Sequence, residues 1–188
     1  MQWSQLRKQL GARLAPGLGN RLALNQTRYR HSHDQEGEFW MSFDKERIFS
    51  AGSMTYLSML AKTASAANDR GASWAQAYSQ AWPVMEASGH MLLEKINADL
   101  LASLSMAVED MLGHVNPVIR ALALADKRFG KRRLAAFDAA GEHPLVVRVF
   151  QLRCRAEEFR PTIPAPDEAE REACALTSSN GAVPVVSR

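Results

Sequence analysis

Hydrophobic positions recur with two periods along this chain, and the switch between them predicts its architecture. Trp3, Leu6, Leu10 and Leu14 fall at helical spacing, so residues 3–15 are predicted to form an amphipathic helix with Arg7, Lys8 and Arg13 outside. Pro16-Gly17 and Gly19-Asn20 end it. The stretch from Arg21 to Ser50 does not read as helix. In Phe39-Trp40-Met41-Ser42-Phe43 the period drops to two, placing Phe39, Met41 and Phe43 on one face of a half-buried strand with Trp40 and Ser42 on the other. Leu22 to Arg30 supplies a second strand, and Arg47-Ile48-Phe49 a third, reached through an Asp44-Lys45 turn. Glycine suits such a turn better than Lys45, so the third strand's register is the loosest part of this pattern.

After Gly52 the helical period returns. Ser53 is predicted to cap a helix whose inner stripe is Met54, Leu57, Leu60, Ala61 and Ala64, stopped at Asn68-Asp69-Arg70-Gly71. Ser73-Trp74-Ala75-Gln76 has capping-box spacing, and Pro83 is expected to break or kink the helix that this box opens. From Met85 through Leu92, Leu93, Ile96, Leu100 and Leu104 the pattern predicts one long helix whose nearly all-round apolarity calls for deep burial or a partner. Pro117 and Pro144 each sit at a first helical position, where a missing N–H costs nothing. Gly130 and Gly141 act as stops, which predicts helices over 117–129, 131–140 and 144–159. The expected fold is α+β: a predominantly helical single domain over residues 1–160, with a small N-terminal antiparallel three-stranded sheet at 22–50 covered by helices at 3–15 and 53–160. Residues 161–188, rich in proline and acidic groups, read as a flexible tail.

Composition changes this picture little. Hydrophobic residues make up 46% of the 188, ample for a core, and the formal charge is +3. Distribution says more: residues 1–50 hold 8 basic against 5 acidic groups, 51–115 hold 3 against 6, and 116–160 hold 10 against 5. Cys154 and Cys174 lie apart, one in a helical pattern and one in the tail, so no cysteine-based metal site or disulfide framework is expected. With no leader-like apolar stretch and no run of the roughly 18 apolar residues a spanning helix needs, a soluble cytoplasmic protein is expected, without a membrane partner.

Trp3-Ser4-Gln5-Leu6, the run Thr27-Arg28-Tyr29-Arg30 to His33-Asp34, Gly37-Glu38-Phe39-Trp40 and Asp126-Lys127-Arg128-Phe129-Gly130-Lys131-Arg132 together resemble an uncharacterised family of small bacterial cytoplasmic proteins. The likeness spans residues 1–160. It implies a bacterial or phage source and one compact domain, and brings no activity or site residues. A likeness of element order alone links residues 3–67 to double-stranded-RNA-binding domains, although Ser53-Met54-Thr55-Tyr56 stands where those domains place a lysine cluster facing phosphate.

Three constellations could carry chemistry. Lys127, Arg128, Lys131, Arg132 and Arg133 straddle Gly130, with i, i+4 relations that could gather them for phosphate. Arg28, Tyr29 and Arg30 mix cation and aromatic as nucleic-acid grips do, although a core Tyr29 beneath exposed arginines explains them as well. His31-Ser32-His33-Asp34-Gln35-Glu36-Gly37-Glu38 packs two imidazoles and three carboxylates into a polar strand connection. If it held a divalent ion, a metal-bound water with Glu36 or Glu38 as base would make a hydrolase or nuclease. No phosphate-cradling loop, nucleophile elbow or Cys/His pairing is present, and no cofactor is expected. The first functional reading is therefore a non-catalytic binding or regulatory protein that recognises nucleic acid or an acidic protein through Arg28, Arg30, Lys127, Arg128, Lys131, Arg132 and Arg133. A metal-dependent hydrolase and a structural or oligomerising protein, a homodimer for example, are the alternatives.

Overall fold

The computed structural model describes residues 1–29 and 37–158, which form an α+β single domain. The order is α1 (Trp3–Gly11), β1 (Leu22–Arg28), β2 (Gly37–Phe43), β3 (Glu46–Gly52), α2 (Ser53–Asn68), α3 (Trp74–Ala87), α4 (Leu93–Ser103), α5 (Val108–Leu112), α6 (Pro117–Ala125), α7 (Lys131–Ala135) and α8 (Pro144–Ala156). The sheet is antiparallel with β2 central. Phe39 and Met41 are fully buried and Phe43 nearly so, as the period-two alternation requires. At the β2–β3 turn Asp44 and Lys45 both take left-handed φ, +50° and +72°, the two-residue hairpin geometry. The register slips once, between Met41 and Ser42. Gly37 is obligatory at the start of β2, because a Cβ there would sit 2.3 Å from the Thr27 carbonyl.

The first helix ends at Gly11, about one turn before its apolar spacing predicts. Residues 13–15 leave it to pair with 125–127: the Ala15 amide donates to the Ala125 carbonyl and the Lys127 amide to the Arg13 carbonyl, each at 2.8 Å. Ser53 does not cap α2 but is its first residue; Gly52 takes the cap position without a side-chain bond. The capping box at Ser73 and Gln76 forms on both sides. Pro83 lies inside α3 instead of breaking it, on an exposed face where water can serve the carbonyl that loses its donor.

The predicted long helix from Met85 divides. The His90 amide donates to the Met85 carbonyl and the Gly89 amide to that of Glu86, a Schellman ending of α3. Gly89 has φ +78°, and a Cβ on it would press on the Phe49 ring and Pro117 at 3.1 Å, so the turn needs glycine. The prolines open α6 and α8 as expected, capped by the Asn116 and His143 side chains. All three C-terminal helices stop short of their predicted ends, at Ala125, Ala135 and Ala156, because the residues after them turn to meet neighbouring elements. The main core joins the sheet's inner face, α1, α4, α6 and α8. A second, small cluster of Ala64, Ala67, Ala77 and Ala81 lies between α2 and α3. Here the predicted inner stripe is overturned: Ala64 is buried and Leu60 half-buried, but Met54, Leu57 and Ala61 face outward, since the alanine side of α2 allows the closer approach of α3.

Candidate functional site

The pairing of residues 13–15 with 125–127 sets the site's geometry. It fastens the α6–α7 connection to the C-terminal end of α1, and the Lys127 ammonium donates to the Ala12 carbonyl at 2.9 Å. Arg28 lies at the opposite end of α1, lining a groove of about 200 Å³ with Trp3, Leu6, Gln26, Asn97 and Leu101. Arg7 and Lys8 are exposed on the α1 face between the two ends. At 1.5 Å per residue, Trp3 and Ala12 are about 14 Å apart. Two basic groups distant in sequence are thus joined along one helix.

The predicted cations differ in how far they are already engaged. Arg128 grips buried Asp126 with two nitrogens, Nη2 to Oδ2 at 2.8 Å, and donates to the Met106 carbonyl; the hydrogen bonds to Asp126 raise its pKa. It holds the loop in shape. Arg133 pairs with Glu109 on α5, at a site where both side chains are more than half exposed and the pair stabilises little. Lys131 and Arg132 are exposed and have no ion pair among the described residues. Arg30 and residues 31–36 of the histidine and carboxylate cluster lie outside the described residues. Glu38, the end of that cluster, is taken by Arg47 at 2.6 Å, and Arg47 also stacks on the Trp40 ring. Among the described residues no group of histidine, cysteine, aspartate and glutamate side chains could hold a metal ion, and no helix is long and apolar enough to cross a membrane.

A polar network between α3, α4 and α6 is absent from the sequence-based expectations. Lys95 bridges Asp99 at 2.7 Å and Glu86 at 3.0 Å, and the other Asp99 oxygen accepts from the Asn116 side chain, which caps α6. Burial works against the Lys95 charge, but the hydrogen bonds to Asp99 and Glu86 prevail and raise its pKa. A lysine held protonated by two carboxylates is a strut, not a base or a nucleophile. Beside it the Tyr56 hydroxyl and His90 Nδ1 border a void of about 10 Å³, room for one water. The i, i+4 spacing of Lys95 and Asp99 on an otherwise apolar helix was the signal available in the sequence.

His143 fastens α8 to the end of α3. Its Nδ1 accepts from the Leu145 amide at 3.1 Å, and its Nε2 lies 3.1 Å from the Ser88 carbonyl, so the neutral ring with the proton on Nε2 satisfies both. Burial holds its pKa below the ordinary value, the Ser88 bond acting in the opposite sense; Arg120 and His90 lower it further and Glu142 raises it. An unfolded chain takes up a proton near pH 6.5 that the folded chain refuses, so this contribution to stability is present above that pH and declines below it. The urea midpoint is expected to fall further between about pH 7.5 and about pH 5.5 for the wild type than for His143→Asn, which keeps a capping oxygen but does not titrate. Equal falls would exclude His143 as the source.

The SF0329 protein family matches residues 2–154 of this chain. No curated protein and no solved structure matches it.

Proposed function

The chain belongs to the SF0329 protein family, and within it we propose a non-catalytic binding protein that recognises an anionic partner, nucleic acid or an acidic protein, along the basic surface of α1. The observation that carries this is the joining of Lys127 and α7 to one end of α1 and of Arg28 to the other, with Arg7 and Lys8 between them. Duplex DNA offers a charge every 1.7 Å or so of its axis, so a surface about 14 Å long faces roughly eight phosphates. The engaged cations shape this surface, while Arg7, Lys8, Lys131 and Arg132 stand ready for a ligand. We place it in a bacterial cytoplasm, a reducing setting that suits the buried free thiol of Cys154.

Four such contacts predict a salt dependence of about −3.6 for duplex DNA in a plot of log affinity against log salt. Replacing Lys131 and Arg132 together by Ser is expected to bring this to about −1.8, whereas Arg133→Ser leaves it nearly unchanged. Gel-shift titrations at two salt concentrations, with an acidic peptide run in parallel, make the test. Absence of binding to DNA, RNA and the peptide at about 50 mM salt would overturn the proposal.

A further inference from the structure

The α2–α3 hairpin leaves its large apolar side chains outside. Its interior is filled by Ala64, Ala67, Ala77 and Ala81, with Leu60 and Ala72 at the margin. Alanine contacts bring the two helix backbones close and leave no room inside for bulk. Met54, Leu57, Met59, Trp74, Tyr78, Trp82 and Val84 are instead between 37% and 60% exposed. Beyond the hairpin, the large apolar side chains exposed among the described residues are Met1, Tyr29, Leu101 and Val115, which are scattered in sequence.

These side chains are also ordered. Trp74, Tyr78 and Trp82 succeed one another at four-residue intervals along one side of α3. The rings of Trp74 and Tyr78 lie 6.0 Å apart, and Trp82 meets Tyr56 of α2 edge to face at 5.8 Å. That contact joins the ladder to α2 beside Leu57. Rigid aromatics held by their neighbours lose little rotamer freedom when a partner covers them.

We infer that this face is the homodimer interface, two copies packing hairpin against hairpin into a four-helix bundle about a twofold axis. Area and charge identify the occupant. Three half-exposed rings of about 200 Å² each leave roughly 300 Å² in view, and the four aliphatic side chains raise this to on the order of 600 Å². That exceeds most single patches on monomers and approaches the roughly 800 Å² per partner of a stable interface. Residues 53–87 carry Lys62 and Arg70 against Asp69 and Glu86, so the hairpin has no net charge. Two copies meet on it without like-charge repulsion, and it offers an anionic partner nothing. The inference is independent of the basic surface, which lies on α1 and the α6–α7 connection.

Sedimentation of the full chain up to roughly 100 µM is expected to give twice the chain mass of 20.8 kDa. Trp74→Ser combined with Tyr78→Ser should weaken the dimer at least about 30-fold, as loss of an aromatic hot spot does, while Leu101→Ser leaves it intact. In a Cys174→Ser background, Ser79→Cys should cross-link two copies under mild oxidation and Ala135→Cys should not, a readout that does not depend on the double variant folding. A monomer throughout the concentration range, or a dimer indifferent to the double substitution and cross-linked equally from both positions, would overturn the inference.

Discussion

Arg153→Ala is expected to lower stability by about 3–5 kcal/mol, a third or more of what a domain of this size has. Arg153 is 2% exposed and lies on α8, yet its guanidinium serves the end of α6. It donates to the carbonyls of Leu124, Asp126 (2.7 Å) and Phe129, and its Nε reaches Glu157 at 3.1 Å. Truncation leaves those carbonyls and a nearly buried carboxylate without their donor, and an orphaned buried charge costs far more than an intact pair contributes. Arg153→Lys should recover only a minor part, because an ammonium is a point charge and cannot fork to three carbonyls. Urea unfolding with an unchanged m value is the measurement. A loss below about 1 kcal/mol for the alanine variant would show that water replaces the fork and that Arg153 does not brace α6.

Phe39→Ala is expected to cost about 3–5 kcal/mol by the cavity it leaves. Phe39 is 0% exposed on the central strand, and Trp3 of α1 meets its ring edge to face at 6.4 Å. The site cannot collapse easily, because α1 is also tied down through residues 13–15. Phe43→Ala should cost less. It sits near the hairpin end, 9% exposed, with the Arg21 guanidinium 4.5 Å above its ring, a lid that can settle into the space. Urea midpoints ordered with Phe43→Ala below Phe39→Ala would contradict this account of the sheet face.

The same elements show what is legible in the chain alone. Alternation places Phe39, Met41 and Phe43 in the core, and the fold agrees, because a strand has two faces and only one of them is uniformly large and apolar here. The starts of α6 and α8 and the Ser73 capping box are equally clear, since proline and capping side chains act within a single turn. These are local effects, complete within a few residues, and the sequence by itself determined them.

Tertiary structure decided the rest. The outward turn of Met54 and Leu57 depended on which side of α2 the alanines of α3 could approach more closely, and both sides were apolar in sequence. Residues 13–15 had the spacing of a helix but bonded to 125–127, a choice made by a partner more than a hundred positions away. The division of the helix expected from Met85 to Leu104 rested on Gly89 fitting between Phe49 and Pro117, neither of them its neighbour in sequence. In the candidate site the residue types were visible, but whether each cation was engaged was not. Arg128 and Arg133 were bound by Asp126 and Glu109 while Lys131 and Arg132 were left to solvent, because ion pairing depends on distances of a few ångströms that only the folded chain sets.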